Sequence, residues 1–241
     1  MYKHIALLVR KDGLTHAEFI EYWQHEHTQI AKDIEGVIRY QTVVPVDPTV
    51  AEFDGIAELY FESIDELHAA LGSPGDRDYD PDLEVAAKAR ADVDNFLAIE
   101  RRPRLIGEET VQRDETGGDT TGLYKHAAFL VRKPGMTHEE FVEYWQSNHT
   151  PIAREIEGVV RYATVIPTEP AVAEFDGVAE LYFESLDDLH AALGSPGDRD
   201  YDPALEVAAK ARADVDNFLA IEDRPRLIGR ETVQVDRSDR P

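Results

Sequence analysis

Residues 56–62 read Ile56-Ala57-Glu58-Leu59-Tyr60-Phe61-Glu62, and 122 positions later the chain reads Val178-Ala179-Glu180-Leu181-Tyr182-Phe183-Glu184. In a strand successive side chains point to opposite faces, so Ile56, Glu58 and Tyr60 share one side and Ala57, Leu59 and Phe61 the other. Both sides are largely apolar, and such a strand has to be covered on both faces. The same offset carries Tyr2-Lys3-His4 onto Tyr124-Lys125-His126 and Val111-Gln112 onto Val233-Gln234 without a gap, and 23 of the 111 aligned positions differ. The chain is therefore read as two copies of one small domain, residues 1–112 and 123–235. A polar, glycine-rich connector at 113–122 reads as a flexible linker, and 236–241 as a polar tail.

Within each copy the local signals alternate. Residues 3–10 are apolar and strand-like, and Thr15-His16-Ala17-Glu18 is a capping box that opens a helix, repeated as Thr137-His138-Glu139-Glu140. Phe19, Trp23, His27, Ile30 and Ile34 fall on one face of that helix, which Gly36 stops. Residues 37–46 read as a strand, and Asp54-Gly55 as a turn into the strand 56–62. Ser63-Ile64-Asp65-Glu66 caps a second helix, 82–95 forms a third, and Phe96 begins a last strand that continues through Leu105 and Ile106. The order βαββαβ is the ferredoxin-like α+β plan, with helices on one sheet face and the other face bare. The bare faces of the two copies are predicted to meet, giving an eight-stranded α/β barrel within one chain, an intramolecular counterpart of a dimeric barrel.

Composition limits the partners. Asp and Glu number 49 against 25 Lys and Arg in 241 residues, a net charge of −24, which repels nucleic acid and anionic membranes. Cysteine is absent, so disulfides and thiolate chemistry are excluded. The longest early apolar run, Ile5-Ala6-Leu7-Leu8-Val9, is far short of a signal or a span, and the expectation is a soluble, cytoplasmic protein. Acid excess together with few lysines suits concentrated salt, where screening relieves the repulsion among carboxylates, so the chain reads as halophilic.

His27 and His149 are the foremost catalytic candidates: each shares a helical stripe with Trp23 or Trp145, and imidazole exchanges protons near neutral pH. The competing reading is a satisfied core histidine. Glu58 and Glu180 sit mid-strand among apolar neighbours and need partners, which Arg39 and Arg161 on the adjacent strand could supply. Such a carboxylate would orient the histidine, bind substrate, or be a structural ion pair. Trp23, Trp145, Tyr40, Tyr60, Tyr162, Tyr182, His4 and His126, with the two arginines, are candidates to line a pocket or simply to pack. No metal site is expected: residues two apart, such as His25 and His27, diverge by about 200° on a helix. The segment Asp76-Arg77-Asp78-Tyr79-Asp80-Pro81 lacks the glycine and glutamate of a calcium loop.

The run Phe141-Val142-Glu143-Tyr144-Trp145-Gln146-Ser147-Asn148-His149-Thr150-Pro151-Ile152-Ala153 resembles the signature of the EthD family. The likeness continues through residues 158–162, 176–183 and 193–196 and through Asp214-Val215-Asp216-Asn217-Phe218. It implies a dimeric α/β-barrel fold, no cofactor, and breakdown of ethers or cofactor-independent dehydration or decarboxylation of small, often aromatic molecules. The helix histidine carries over onto His149 and His27. The first copy departs from the pattern, with Gln29 where the second has Pro151 and with His25 and Glu26 where it has Ser147 and Asn148, which favours the second pocket. The reading that follows is a small-molecule enzyme with acid/base chemistry of the lyase or isomerase kind. The alternatives are a non-catalytic binding protein for a hydrophobic metabolite and an oxidoreductase or monooxygenase, since related barrels include haem enzymes and oxygenases.

Overall fold

A computed structural model describes residues 1–74, 80–198, 200, 202–220 and 224–238. Most of the would-be calcium loop, residues 76–79, lies outside them.

The first half runs β1 (Tyr2–Leu8), α1 (His16–Tyr22), a π-turn (Trp23–His27), α2 (Thr28–Ala31), β2 (Arg39–Pro45), β3 (Gly55–Phe61), α3 (Ile64–Leu71), α4 (Glu84–Asp92) and β4 (Arg104–Asp114). The second half repeats it as β5 (Tyr124–Leu130), α5 (His138–Tyr144), a π-turn (Trp145–His149), α6 (Thr150–Ala153), β6 (Val159–Pro167), β7 (Gly177–Phe183), α7 (Leu186–Leu193), α8 (Glu206–Asp214) and β8 (Arg226–Asp236). Both capping boxes form. Thr15 Oγ1 accepts from the Glu18 backbone N–H while Glu18 accepts from that of Thr15, and Ser63 and Glu66 do the same. Inside the first long helix the Thr28 N–H bonds back to the Trp23 carbonyl, five residues away, which makes the π-turn.

The eight strands close into one antiparallel barrel in the order β1-β3-β2-β8-β5-β7-β6-β4. The halves do more than stack. The β2–β8 and β4–β6 ladders join them edge to edge, so neither half keeps a free sheet edge. This corrects the expected last strand. Phe96 ends a turn, the strand starts at Arg104, pairs first with β1, and then leaves for β6 of the other half.

Strand pairing takes up the start of the connector and the first residue of the polar tail. Arg113 and Asp114 belong to β4, and Asp236 to β8. Thr120 is fully buried and hydrogen-bonded by Arg39 and Gln41, while Arg237 donates to the carbonyls of Lys32 and Val37. The β4–β6 and β2–β8 seams extend into these segments, and Thr120, the one buried residue of the connector, needs protein partners for its hydroxyl.

Alternation along the strands separates two environments. His4, Ala6 and Leu8 of β1 and Ala57, Leu59 and Phe61 of β3 face the helices of their own half, where they join Phe19, Trp23, Ile34 and Phe96 in a core repeated in the second half. Ile5, Leu7, Val43 and Ile56 point inward and meet Ala127, Phe129, Val165 and Val178 inside the barrel. The interior also holds charge. Lys3 Nζ lies 2.6 Å from Glu180, 3.1 Å from Glu58 and 3.3 Å from Glu109, and Lys125 Nζ lies 3.1 Å from both Glu180 and Glu231 and also pairs with Glu58. All six of these side chains are at most 8% exposed, and each lysine reaches a glutamate of the opposite half.

Among the described residues no helix is long and apolar enough to cross a membrane.

Candidate functional site

The helix-to-sheet core of each half is not solid. A cavity of about 80 Å3 lies among His4, Trp23, His27, Tyr40, Phe96 and the small residues of α4 and β3. Its counterpart of about 90 Å3 lies among His126, Trp145, His149, Tyr162 and Phe218. Alanines make much of each wall, with arginines (Arg102 and Arg104, or Arg224 and Arg226) among the polar lining residues. Pockets for drug-sized ligands measure ~300–1,000 Å3, so these cavities suit smaller molecules.

The helix places the histidine by its stripe: Phe19, Trp23 and His27 all face the sheet, and the Trp23 indole N–H donates to the Tyr40 hydroxyl at 3.2 Å. His27 Nδ1 lies 2.8 Å from Asp92 Oδ2, and His149 Nδ1 lies 2.9 Å from Asp214 Oδ2. Each aspartate closes its helix, α4 or α8, and receives two more bonds. Tyr22 and Asn95 donate to Asp92 Oδ1 at 2.7 and 3.0 Å, and Tyr144 and Asn217 to Asp214 Oδ1 at 2.8 and 3.1 Å. Phe96 and Phe218 flank the imidazoles, with ring centroids 4.8 and 4.9 Å away.

Charge follows from this packing. Burial lowers the pKa of His27 and His149 below the ordinary 6.5; the aspartate hydrogen bond and charge only partly oppose it, and the charges of Arg102 and Arg224 add to the lowering. Burial pushes the Asp92 carboxyl up, but the hydrogen bonds from Tyr22, His27 and Asn95 together outweigh it and hold the group below its ordinary value; Asp214 is held the same way. At neutral pH the site is therefore a carboxylate beside a neutral imidazole. A carboxylate only accepts, so Nδ1 carries the proton and the Nε2 lone pair is left for the cavity.

The residues singled out in the sequence divide between the two environments. His27, His149, Trp23, Trp145, Tyr40, Tyr162, His4 and His126 line the cavities. Glu58, Glu180, Tyr60, Tyr182, Arg39 and Arg161 do not. Strand alternation turns them into the barrel interior, on the opposite sheet face from the histidines. The proposed Glu58–Arg39 and Glu180–Arg161 pairs are not formed either, because Lys3 and Lys125 take both glutamates. Arg161 instead bonds Glu109 and Asp114, and Arg39 bonds Thr120, the Gly118 carbonyl and Asp236.

Asp54, read as a turn residue, is buried and binds the Arg10 backbone N–H, the Arg10 guanidinium and His16. The carboxylates that orient the histidines, Asp92 and Asp214, are ones that sequence reasoning did not select. The block Asp214-Val215-Asp216-Asn217-Phe218 was the available signal, but nothing local distinguishes Asp214 from Asp216. Gln29 and Pro151, whose difference favoured the second pocket, are both on the exposed side of the helix, away from the cavities.

A haem, which an imidazole can ligate, does not fit. A porphyrin is several times larger than either cavity.

A family model described as the EthD domain matches residues 11–100 and again 133–222. Among solved structures, an anthrone oxidase-like protein aligns over 100% of this chain and 96% of its own, with TM-score 0.61 and 12% identity. A putative monooxygenase from Lactobacillus acidophilus NCFM aligns over 98% and 95%, with TM-score 0.52 and 9% identity. Chlorite dismutase from Candidatus Nitrospira defluvii, in complex with imidazole, aligns over 96% and 90%, with TM-score 0.54 and 10% identity. At such identities the likeness is one of fold. No curated protein matches the chain. The family match falls once on each half and takes in the π-turn histidine and its aspartate both times, and the chain belongs to the EthD domain family.

Proposed function

We propose that each half works as a general-base site on a small, largely apolar molecule, with His27 and His149 taking a proton through Nε2. Asp92 and Asp214 fix the tautomer and stabilise the imidazolium that forms. The observation that carries this reading is a buried, carboxylate-held imidazole on the wall of an apolar cavity. Proton removal beside a carbonyl leaves a carbanion. Reprotonated at another carbon it gives an isomer, and with loss of a leaving group a dehydrated product.

The oxidoreductase alternative shares the first step. Dioxygen then oxidises the carbanion, so that a CH2 group becomes a carbonyl holding one oxygen atom while the other leaves as water. The names of the anthrone oxidase-like and monooxygenase neighbours support this second fate.

Two probes separate the fates. Conversion of cyclohex-3-enone to the conjugated cyclohex-2-enone, followed by ultraviolet absorbance, reports proton transfer alone. Oxygen uptake with anthrone reports oxidation. Whichever probe is turned over, the His27→Ala/His149→Ala double variant is expected to lose about 10²–10⁴-fold in rate. Turnover that survives in it overturns the assignment of the base.

A further inference from the structure

We infer that both halves keep a working site for the same ligand, so that one chain holds two equivalents of it. This rests on the cavities being the ligand sites of the proposed function. Twenty residues line the first cavity, and the twenty that line the second are the same positions shifted by 122. None of the 23 positions at which the copies differ is among them, whereas an even spread over 111 positions would put about four in any twenty. Behind the wall, Tyr22, Asp92 and Asn95 likewise match Tyr144, Asp214 and Asn217.

Burial does not account for this. Ile5 and Ala127, Leu7 and Phe129, Gln41 and Ala163, and Ile56 and Val178 are buried equivalent pairs, and all four differ. They point into the barrel, where packing tolerates compensating changes of volume. Nearness to the histidine along the chain does not account for it either, since His25, Glu26 and Gln29 have become Ser147, Asn148 and Pro151 on the exposed side of the same helix. The cavity wall and the Tyr22, Asp92 and Asn95 set behind it are unchanged, as is the rest of the buried helix-facing core, while the barrel interior and the exposed side of the long helix vary.

The energetics point the same way. An empty cavity lowers stability, and enlarging one of its alanines, such as Ala57, Ala86 or Ala89, would fill it. A copy released from function would gain stability by closing its void. Both copies have kept theirs, and the two walls share no residue, so the sites bind independently.

The test uses the full chain, labelled with 15N-histidine and titrated with phenol, a ring-sized probe that can donate to Nε2. NMR follows His27 and His149 separately, and calorimetry gives the stoichiometry. Both resonances are expected to move with dissociation constants equal within about twofold, at two equivalents per chain. Ala89→Leu should remove the response of His27 alone, and Ala211→Leu that of His149 alone. Saturation at one histidine only, at neither, or with constants more than about tenfold apart overturns the inference, and the unsubstituted protein decides this even if a filled variant does not fold. Failure of the enone and anthrone assays would remove the base chemistry while leaving two-site binding intact, so the two ideas fail separately.

Discussion

At the scale of the residue, the site depends on one hydrogen bond in each half. The aspartate decides which imidazole nitrogen carries the proton, and burial decides that the ring is neutral. Because the folded pKa of His27 and His149 lies below 6.5, the base form already predominates at that pH, and the rate is expected to fall as the pH drops from there through the folded value. Asp92 and Asp214 oppose the lowering, so the Asp92→Asn/Asp214→Asn variant should move the acid limb of the pH–rate profile to still lower pH. Its rate should also drop by about 10²-fold or more, since asparagine can donate and so permits the tautomer with a proton on Nε2. An acid limb that moves upward, or a rate that stays level, would contradict the assignment. His27 could be picked out of the sequence because its stripe is local. Asp92 could not, because its partner is 65 residues away and any of several acids on that stretch would have satisfied the local pattern.

At the scale of the element, the long helix of each half is located by its capping box and then aimed by a contact with β3. An added Cβ on Gly55 would come within 2.5 Å of the Trp23 ring, and one on Gly177 within 2.6 Å of Trp145. Glycine is required there for space, since its backbone is not in the left-handed region. Gly55→Ala should push Trp23 outward, carry His27 with it, and destabilise the protein by about 1–3 kcal/mol, as overpacking does. Urea denaturation gives the energy, and the His27 resonance reports the displacement; an unchanged midpoint and resonance would show that the contact is not what aims the helix. The capping boxes were legible because each needs only four consecutive residues. The π-turn was not, because the apolar stripe reads alike whether or not one bond of the helix spans five residues.

At the scale of the whole molecule, two electrostatic regimes coexist. The exposed acid excess repels itself and is screened by salt, while the Lys3, Lys125 and glutamate cluster is sealed inside the barrel where salt does not reach. Burial pushes the Glu58 carboxyl up, and Lys125 and Lys3 together more than reverse this; at Glu109, burial is opposed by Lys3 and Arg161. Both carboxyls thus stay ionised, and the stability they add is lost as the pH falls below about 4.5 toward their folded values. Lys3→Met leaves a buried carboxylate short of a partner and should cost about 3–5 kcal/mol. Melting both proteins in 0.1 M and in 3 M KCl is expected to raise the melting temperature of each with salt while leaving the gap between them unchanged. A gap that closes in high salt would mean the cluster is open to solvent, and a wild-type melting temperature indifferent to KCl would remove the halophilic reading.

By itself the sequence determined that one domain is present twice, that each copy follows a βαββαβ order, and that a histidine shares a buried helical face with a tryptophan. Offsets, capping boxes and periodicities are properties of neighbours along the chain, so they can be read without coordinates. Only the tertiary structure decided that Asp92 and Asp214, rather than Glu58 and Glu180, hold those histidines, and that the two lysines bind the glutamates across the barrel. Those pairings join residues far apart in the chain, and a side chain's partner in a barrel depends on which sheet face it occupies and on which strand lies next to it once the barrel has closed.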